Sequence, residues 1–195
     1  ERLVGSEMCI RDRSIKHIKE LDLTLKLHLD YARDMFLFSF YTRGMSFIDM
    51  AYLKKSDLKN GTITYRRRKT GQQLSVKWEK CMEDIIAKYR ENTATRYLLP
   101  IITNPCSDER TQYRNAICRI NVALKEVVGL AGLNIPLTMH VARHCWASVA
   151  KSKNIPLSVI SEGMGHDSEE TTRIYLASLD TSVVDKANSL ILKDF

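Results

Sequence analysis

Only one stretch of this chain alternates as a β-strand does, and it doubles back on itself. Between Gly61 and Trp78, Thr62-Ile63-Thr64-Tyr65 and Leu74-Ser75-Val76 alternate polar and apolar residues on either side of a basic turn, Arg66-Arg67-Arg68-Lys69-Thr70-Gly71. This pattern predicts a β-hairpin with Lys69 near its tip. Elsewhere the apolar residues recur at helical spacing, so the expected fold is mainly α with a small antiparallel β-sheet or hairpin.

Tyr31, Met35, Phe36, Phe38 and Tyr41 predict a buried helix over Asp30 to Tyr41 that delivers Arg43 at its end and is broken by Gly44. Ser46, with Asp49 three residues on, resembles a capping box that opens a short helix from Phe47 to Leu53. Met82, Ile85, Ile86 and Tyr89 mark another amphipathic helix, and Leu98 through Pro105 reads as an extended segment and loop. Ile117, Ile120, Leu124, Val127 and Val128 form a longer helical stripe ending at Gly129. Thr138 is placed to cap a helix carrying His140, Arg143, Trp146 and Ala147, and Pro156 opens a short helix that ends near Gly163 to Gly165. Ser168, Thr171 and Thr172 introduce the helical segment of Tyr175, and Val183 to Leu192 reads as a terminal helix.

The 195 residues, 44% hydrophobic and 27% charged, suit one domain. Residues 1 to 13 carry no clear period and are read as a non-native or disordered leader, leaving 14 to 195 as the domain. Thirty Lys plus Arg against 23 Asp plus Glu give a net charge of +7, which favours a polyanionic partner without identifying one. There is no apolar run of roughly 18 residues and no signal-peptide pattern, so a cytoplasmic protein with no membrane role is expected. The five cysteines include no C-x-x-C pair, which argues against a disulfide framework and a zinc ribbon and points to reduced thiols.

The chemistry concentrates near the end of the chain. His140-Val141-Ala142-Arg143 is followed by Gly165-His166 and, nine residues past His166, by Tyr175. Two imidazoles and a guanidinium suit the non-bridging oxygens of a phosphodiester under attack by a tyrosine hydroxyl, and Arg43 can supply a second clamp. His140 and His144 also have metal-ligand spacing, but Val141 stands where a His-Glu-x-x-His zinc site needs its glutamate, so no metal is expected and His144 is read as structural. Arg173 is read as a surface charge in preference to a DNA contact. A one-residue slip of hairpin register would exchange Arg68 and Lys69.

Arg43 after a first helix, Lys69 on a hairpin, His140-x-x-Arg143 on a helix, Gly165-His166, and then Tyr175 resemble, in order, the catalytic domain of tyrosine recombinases, the integrases of phages and conjugative transposons. The resemblance covers Asp30 to Leu192. It departs from the usual pattern at Thr42-Arg43-Gly44-Met45-Ser46, where the family commonly has Gly-Leu-Arg.

The resemblance implies the recombinase catalytic-domain fold and a site-specific recombinase for integration or excision of a mobile element. In it Tyr175 is the nucleophile that forms a 3′-phosphotyrosyl link. Arg43 and Arg143 hold the phosphate, Lys69 protonates the leaving 5′-oxygen, His140 exchanges a proton near Tyr175, and His166 donates a hydrogen bond. Nearby positive charge is expected to favour the Tyr175 phenolate. Arg66, Arg67 and Arg68 are expected to touch DNA phosphates. No cofactor is implied. The partners implied are double-stranded DNA and, for the full-length protein, a homo-tetramer on two sites; residues 14–195 are expected to be the catalytic domain without the family's N-terminal core-binding domain. The terminal stripe at 183–192 packs on its own domain or on a neighbouring protomer. Two other readings stand beside this one: a type IB topoisomerase and a catalytically silent DNA-binding module.

Overall fold

The computed structural model describes residues 12–92, 95–133, 136–166 and 168–177. The expected terminal helix at 183–192 and residues 1–11 of the leader lie outside that set.

The helices are α1 (Asp12–Glu20), α2 (Leu27–Tyr41), α3 (Phe47–Ala51), α4 (Lys80–Lys88), α5 (Glu109–Leu130), α6 (Met139–Ser152), α7 (Leu157–Met164) and α8 (Glu169–Ala177). The strands β1 (Leu58–Lys59), β2 (Thr62–Arg66) and β3 (Gln73–Lys77) form one antiparallel sheet in that order.

Helix α2 is apolar on nearly every side, and a helix of that kind must be surrounded. Leu29, Ala32, Met35, Phe36 and Phe38 are fully buried, with α4, α5 and α6 packed around them. The two acids on α2 are buried with their partners: Asp30 pairs with Arg33 and Lys88, and Asp34 takes Lys88 at 2.7 Å and the Tyr89 hydroxyl at 2.8 Å. This satisfied network ties α2 to α4 and answers the cost of taking carboxylates out of water.

Helix α1 was not anticipated from the sequence. It starts inside the expected leader and sends Ile15 and Ile18 into the core; two apolar residues are too few to declare a period. Strand β1 was missed for the same reason, since two residues cannot alternate. Ser46 caps α3 as expected, accepting from the Asp49 N–H at 3.4 Å, but the helix stops at Ala51. Thr138 occupies the N-cap of α6 without a side-chain bond; the Met139 N–H is instead taken by Asn121 Oδ1 of α5 at 3.0 Å. A tertiary contact thus replaces the local cap. Ser168 does cap α8, accepting from the Thr171 N–H at 3.2 Å.

The hairpin register pairs Arg66 with Gln73, leaving the tip from Arg67 to Gln72. Arg67 closes it, donating its N–H to Gln72 O and accepting from the Gly71 N–H, both at 2.8 Å. Lys69 lies in this tip, as expected, and is exposed there.

Candidate active site

Arg143 is the centre of the site. It projects from α6 and is only 8% exposed. Its guanidinium donates to Gly44 O at 3.0 Å and to Met164 O at 2.6 Å, so it joins the end of α2 to the end of α7. Burial and the neighbouring Arg67 charge both lower its pKa, as expected when cations are gathered out of water.

Arg43 reaches this place through a helix terminus. The Arg43 N–H donates to Phe40 O at 3.2 Å and the Gly44 N–H to Ser39 O at 2.8 Å, the paired closure of a Schellman motif. That motif needs a left-handed residue after the cap, and here Arg43 fills it at φ 62°. Glycine is the usual occupant, and a side chain there costs about 1 kcal/mol or more. Gly44 follows at φ 73°, and a Cβ on it would lie 2.7 Å from the Arg143 Cα. The departure from Gly-Leu-Arg noted in the sequence therefore puts an arginine in the cap and a glycine against Arg143.

The nucleophile expected from the sequence sits among rings. Tyr175 on α8 stacks on His144 with centroids 4.7 Å apart and planes 7° from parallel. His144 in turn meets His140 edge-on at 4.5 Å, and His166 meets Tyr175 at 5.6 Å. Trp146 and Tyr175 pack on a second small core of Ala147, Ala150, Ile160, Met164 and Leu176, which fixes α8 against α6 and α7. His166 follows Gly165, which ends α7 at φ 63°, and its Nδ1 lies 2.7 Å from the Thr172 hydroxyl.

These positions set the electrostatics. Burial pushes the Tyr175 phenol well above the ordinary tyrosine value, and Arg143, which pulls the other way, does not overcome it. The expectation that nearby cations would make a ready phenolate is corrected on this point: desolvation of the ring wins in this arrangement. His140 is lowered by burial, then by Arg143 and by Lys69, whose charge therefore reaches it from the hairpin tip. His144 is lowered to about 4 by burial first, then by His140 and Arg143, so it is a neutral stacking plate at neutral pH. Its buried Nδ1 has no hydrogen-bond partner among the described residues. No group of three His, Cys, Asp or Glu among the described residues is placed to hold a metal ion, and no described helix is long and apolar enough to cross a membrane.

The three hairpin arginines, expected to act alike, part company. Arg66 is exposed and braces the turn through Gly71 O at 2.7 Å. Arg68 lays its guanidinium over the Tyr52 ring at 3.7 Å. Arg67 is 7% exposed and donates to Gly165 O. The signal for it was in the sequence: Ile63 and Tyr65 face inward, and strand parity carries Arg67 inward with them. Gly44 as the seat of Arg143 and His144 as the plate under Tyr175 carried no comparable sequence signal.

The fold and the site together define a tyrosine recombinase catalytic domain. The chain belongs to the phage integrase family, whose model matches residues 16–182. Among solved structures it is similar to XerA recombinase, at 19% identity over 96% of this chain and 66% of that one, with a TM-score of 0.64. It is also similar to XerH site-specific recombinase bound to palindromic difH substrate, at 18% identity over 93% of this chain and 52% of that one, with a TM-score of 0.64. A lambda integrase tetramer bound to a Holliday junction is similar at 18% identity over 90% of this chain and 50% of that one, with a TM-score of 0.57. The chain thus spans between half and two thirds of the length of these structures. No curated protein matches it significantly.

Proposed function

We propose that this chain cleaves and rejoins DNA as the catalytic domain of a site-specific recombinase, the integrase of a mobile element. One observation carries the reading. Residues from α6, α8 and the turn after α7 meet as a line of rings, His140, His144, Tyr175 and His166, beside the buried Arg143. That guanidinium donates to the carbonyl of Gly44, the residue after Arg43, both arginines act on Tyr65, and Lys69 acts on His140 from the hairpin.

In this reading Arg43 and Arg143 hold the non-bridging oxygens of the scissile phosphate, and His166 adds a hydrogen bond. The Tyr175 oxygen attacks phosphorus, forming a 3′-phosphotyrosyl ester as the bond to the 5′-oxygen breaks. The phenol is protonated at neutral pH, so its proton must leave during attack, and His140, which is kept neutral, accepts it. Lys69 gives a proton to the leaving 5′-oxygen. The ester conserves the bond energy, so a 5′-hydroxyl from a partner strand reverses the steps. Arg66 and Arg68, on the outer side of the hairpin, contact backbone phosphates. The partner is double-stranded DNA, and the working assembly is a tetramer on two sites, the state in which lambda integrase is bound to a Holliday junction. None of these steps uses a metal ion.

Nicked duplexes from the flanks of the chain's own genetic element, incubated with the parent and with Tyr175→Phe in the presence of EDTA, provide the test. A covalent protein–DNA band on denaturing gels with the parent alone supports the mechanism. DNA binding with no adduct from any duplex would leave a silent binding module instead.

A further inference from the structure

The turn that presents His166 is gripped from two sides. Arg143 donates to Met164 O at 2.6 Å from α6, and Arg67 donates to the next carbonyl, Gly165 O, from the end of β2. The hairpin also packs directly on Gly165: a Cβ there would lie 2.9 Å from both Gln72 Oε1 and Leu74 Cδ1 and 3.1 Å from Arg67 Cδ. The absence of a side chain at residue 165 is therefore what lets the hairpin base reach the turn.

The same hairpin carries Lys69 two residues beyond Arg67. On the other side of the tip, Asp49 Oδ1 accepts the Arg68 N–H at 2.9 Å, and Asp49 is itself held by the Ser46 hydroxyl at 2.6 Å. Among the described residues the tip is thus held on two sides. On one it meets Asp49 of α3 and the Tyr52 ring beyond it, through Arg68; on the other it meets the His166 turn, through the Arg67 hydrogen bond and the packing of Gln72 and Leu74 on Gly165. The second side ties Lys69 to the segment that bears the nucleophile.

We propose that Arg67 is a positioning residue: its bond to the Gly165 carbonyl fixes where the hairpin tip, and so Lys69, arrives relative to His166 and Tyr175. The role rests on the recombinase reading above, with Lys69 as the proton donor to the leaving oxygen. A guanidinium suits it, because it is long enough to span from strand to turn and its planar fork holds one orientation. Freed from this bond, the tip keeps its Asp49 anchorage but loses its registration on the nucleophile's segment, and misplacement by about 1 Å is enough to cost roughly 100-fold in rate.

The test compares the full chain, Arg67→Ala and Lys69→Ala on two nicked duplexes, one normal and one with sulfur in place of the bridging 5′-oxygen at the scissile bond. A leaving thiolate needs no proton near neutral pH, so the sulfur substrate bypasses Lys69. Arg67→Ala is expected to lose about 10- to 100-fold in adduct formation on the oxygen substrate and to recover most of it on the sulfur substrate, as Lys69→Ala does, with little change in DNA affinity. Equal loss on both substrates, no loss on either, or a loss confined to affinity overturns the proposal. Should Arg67→Ala fail to fold, Arg67→Lys, which keeps a buried cation, is read by the same ratio.

Amide hydrogen exchange tests the proposal without activity. Arg67→Ala should speed exchange at Gly71 while Tyr65, in the β2–β3 ladder, keeps its parent rate; an unchanged tip would refute the anchorage. A parent that forms no adduct on either substrate counts against the recombinase reading, and the exchange result still decides the role of Arg67 in the fold.

Discussion

Replacing Gly44 by alanine tests whether the end of α2 is fitted to Arg143 or merely near it. The added methyl group would lie 2.7 Å from Arg143 Cα, 2.8 Å from its Cγ and 2.9 Å from its Cβ. The first of these is backbone in the middle of α6, so it cannot swing away as the end of a flexible side chain would. The residue also sits at φ 73°, where an L side chain costs about 1–2 kcal/mol. Overpacking a tight contact adds about 1–3 kcal/mol. The sum, about 2–5 kcal/mol, is a large fraction of the 5–15 kcal/mol typical of a domain.

Gly61 and Gly71 provide the internal control. They have similar φ values, 69° and 73°, but no atom lies within 4 Å of the place a Cβ would take at either residue, so Gly61→Ala and Gly71→Ala should show the backbone cost alone. Urea denaturation followed by circular dichroism reads all three. At a slope near 2 kcal/mol per molar, Gly44→Ala should lower the midpoint by about 1 M or more and each control by roughly half a molar. Equal shifts for the three would refute the claim that Gly44 is the seat of Arg143.

Two other perturbations separate stability from function. Arg43→Gly relieves the left-handed strain at the helix cap, so the fold should gain up to about 1 kcal/mol while cleavage falls by about 100-fold or more; a variant that is both less stable and active would contradict this. His144 takes a proton near pH 6.5 when unfolded but resists it to about 4 when folded. The unfolded state therefore binds more protons between those values, and the parent should lose stability as pH falls from about 6.5 toward 4. His144→Phe keeps a ring under Tyr175 and should flatten that dependence, as measured by urea midpoints at pH 7 and pH 5; identical slopes would remove His144 as the source.

Much of the site was legible because its members lie in short, ordered motifs. His140 and Arg143 fall three apart on one helix face, Gly165 stops a helix by going left-handed, and Ser168 announces the cap of α8. The hairpin followed from alternation, and so did the place of Lys69 near its tip, while the register, left open to a one-residue slip, was set by the pairing of Arg66 with Gln73. The central helix was visible in Met35, Phe36 and Phe38, which no surface could accommodate. All of these are local patterns, fixed by the 3.6 and 2.0 residue periods of the backbone.

What the tertiary structure decided lies in contacts between segments far apart in the chain. Arg67 was grouped with Arg66 and Arg68 as a phosphate contact; strand parity turns it inward, but parity does not name its partner, Gly165, which is 98 residues away. The Tyr175 phenol was expected to be eased toward ionisation by its cationic neighbours, yet burial against α6 and α7 outweighs them. Thr138 was expected to cap α6, and Asn121 of α5 took the bond. In each case sequence supplied the chemical group and the local element that carries it. How much water it keeps, and which distant carbonyl or ring it meets, depends on packing between elements, and no local period encodes that.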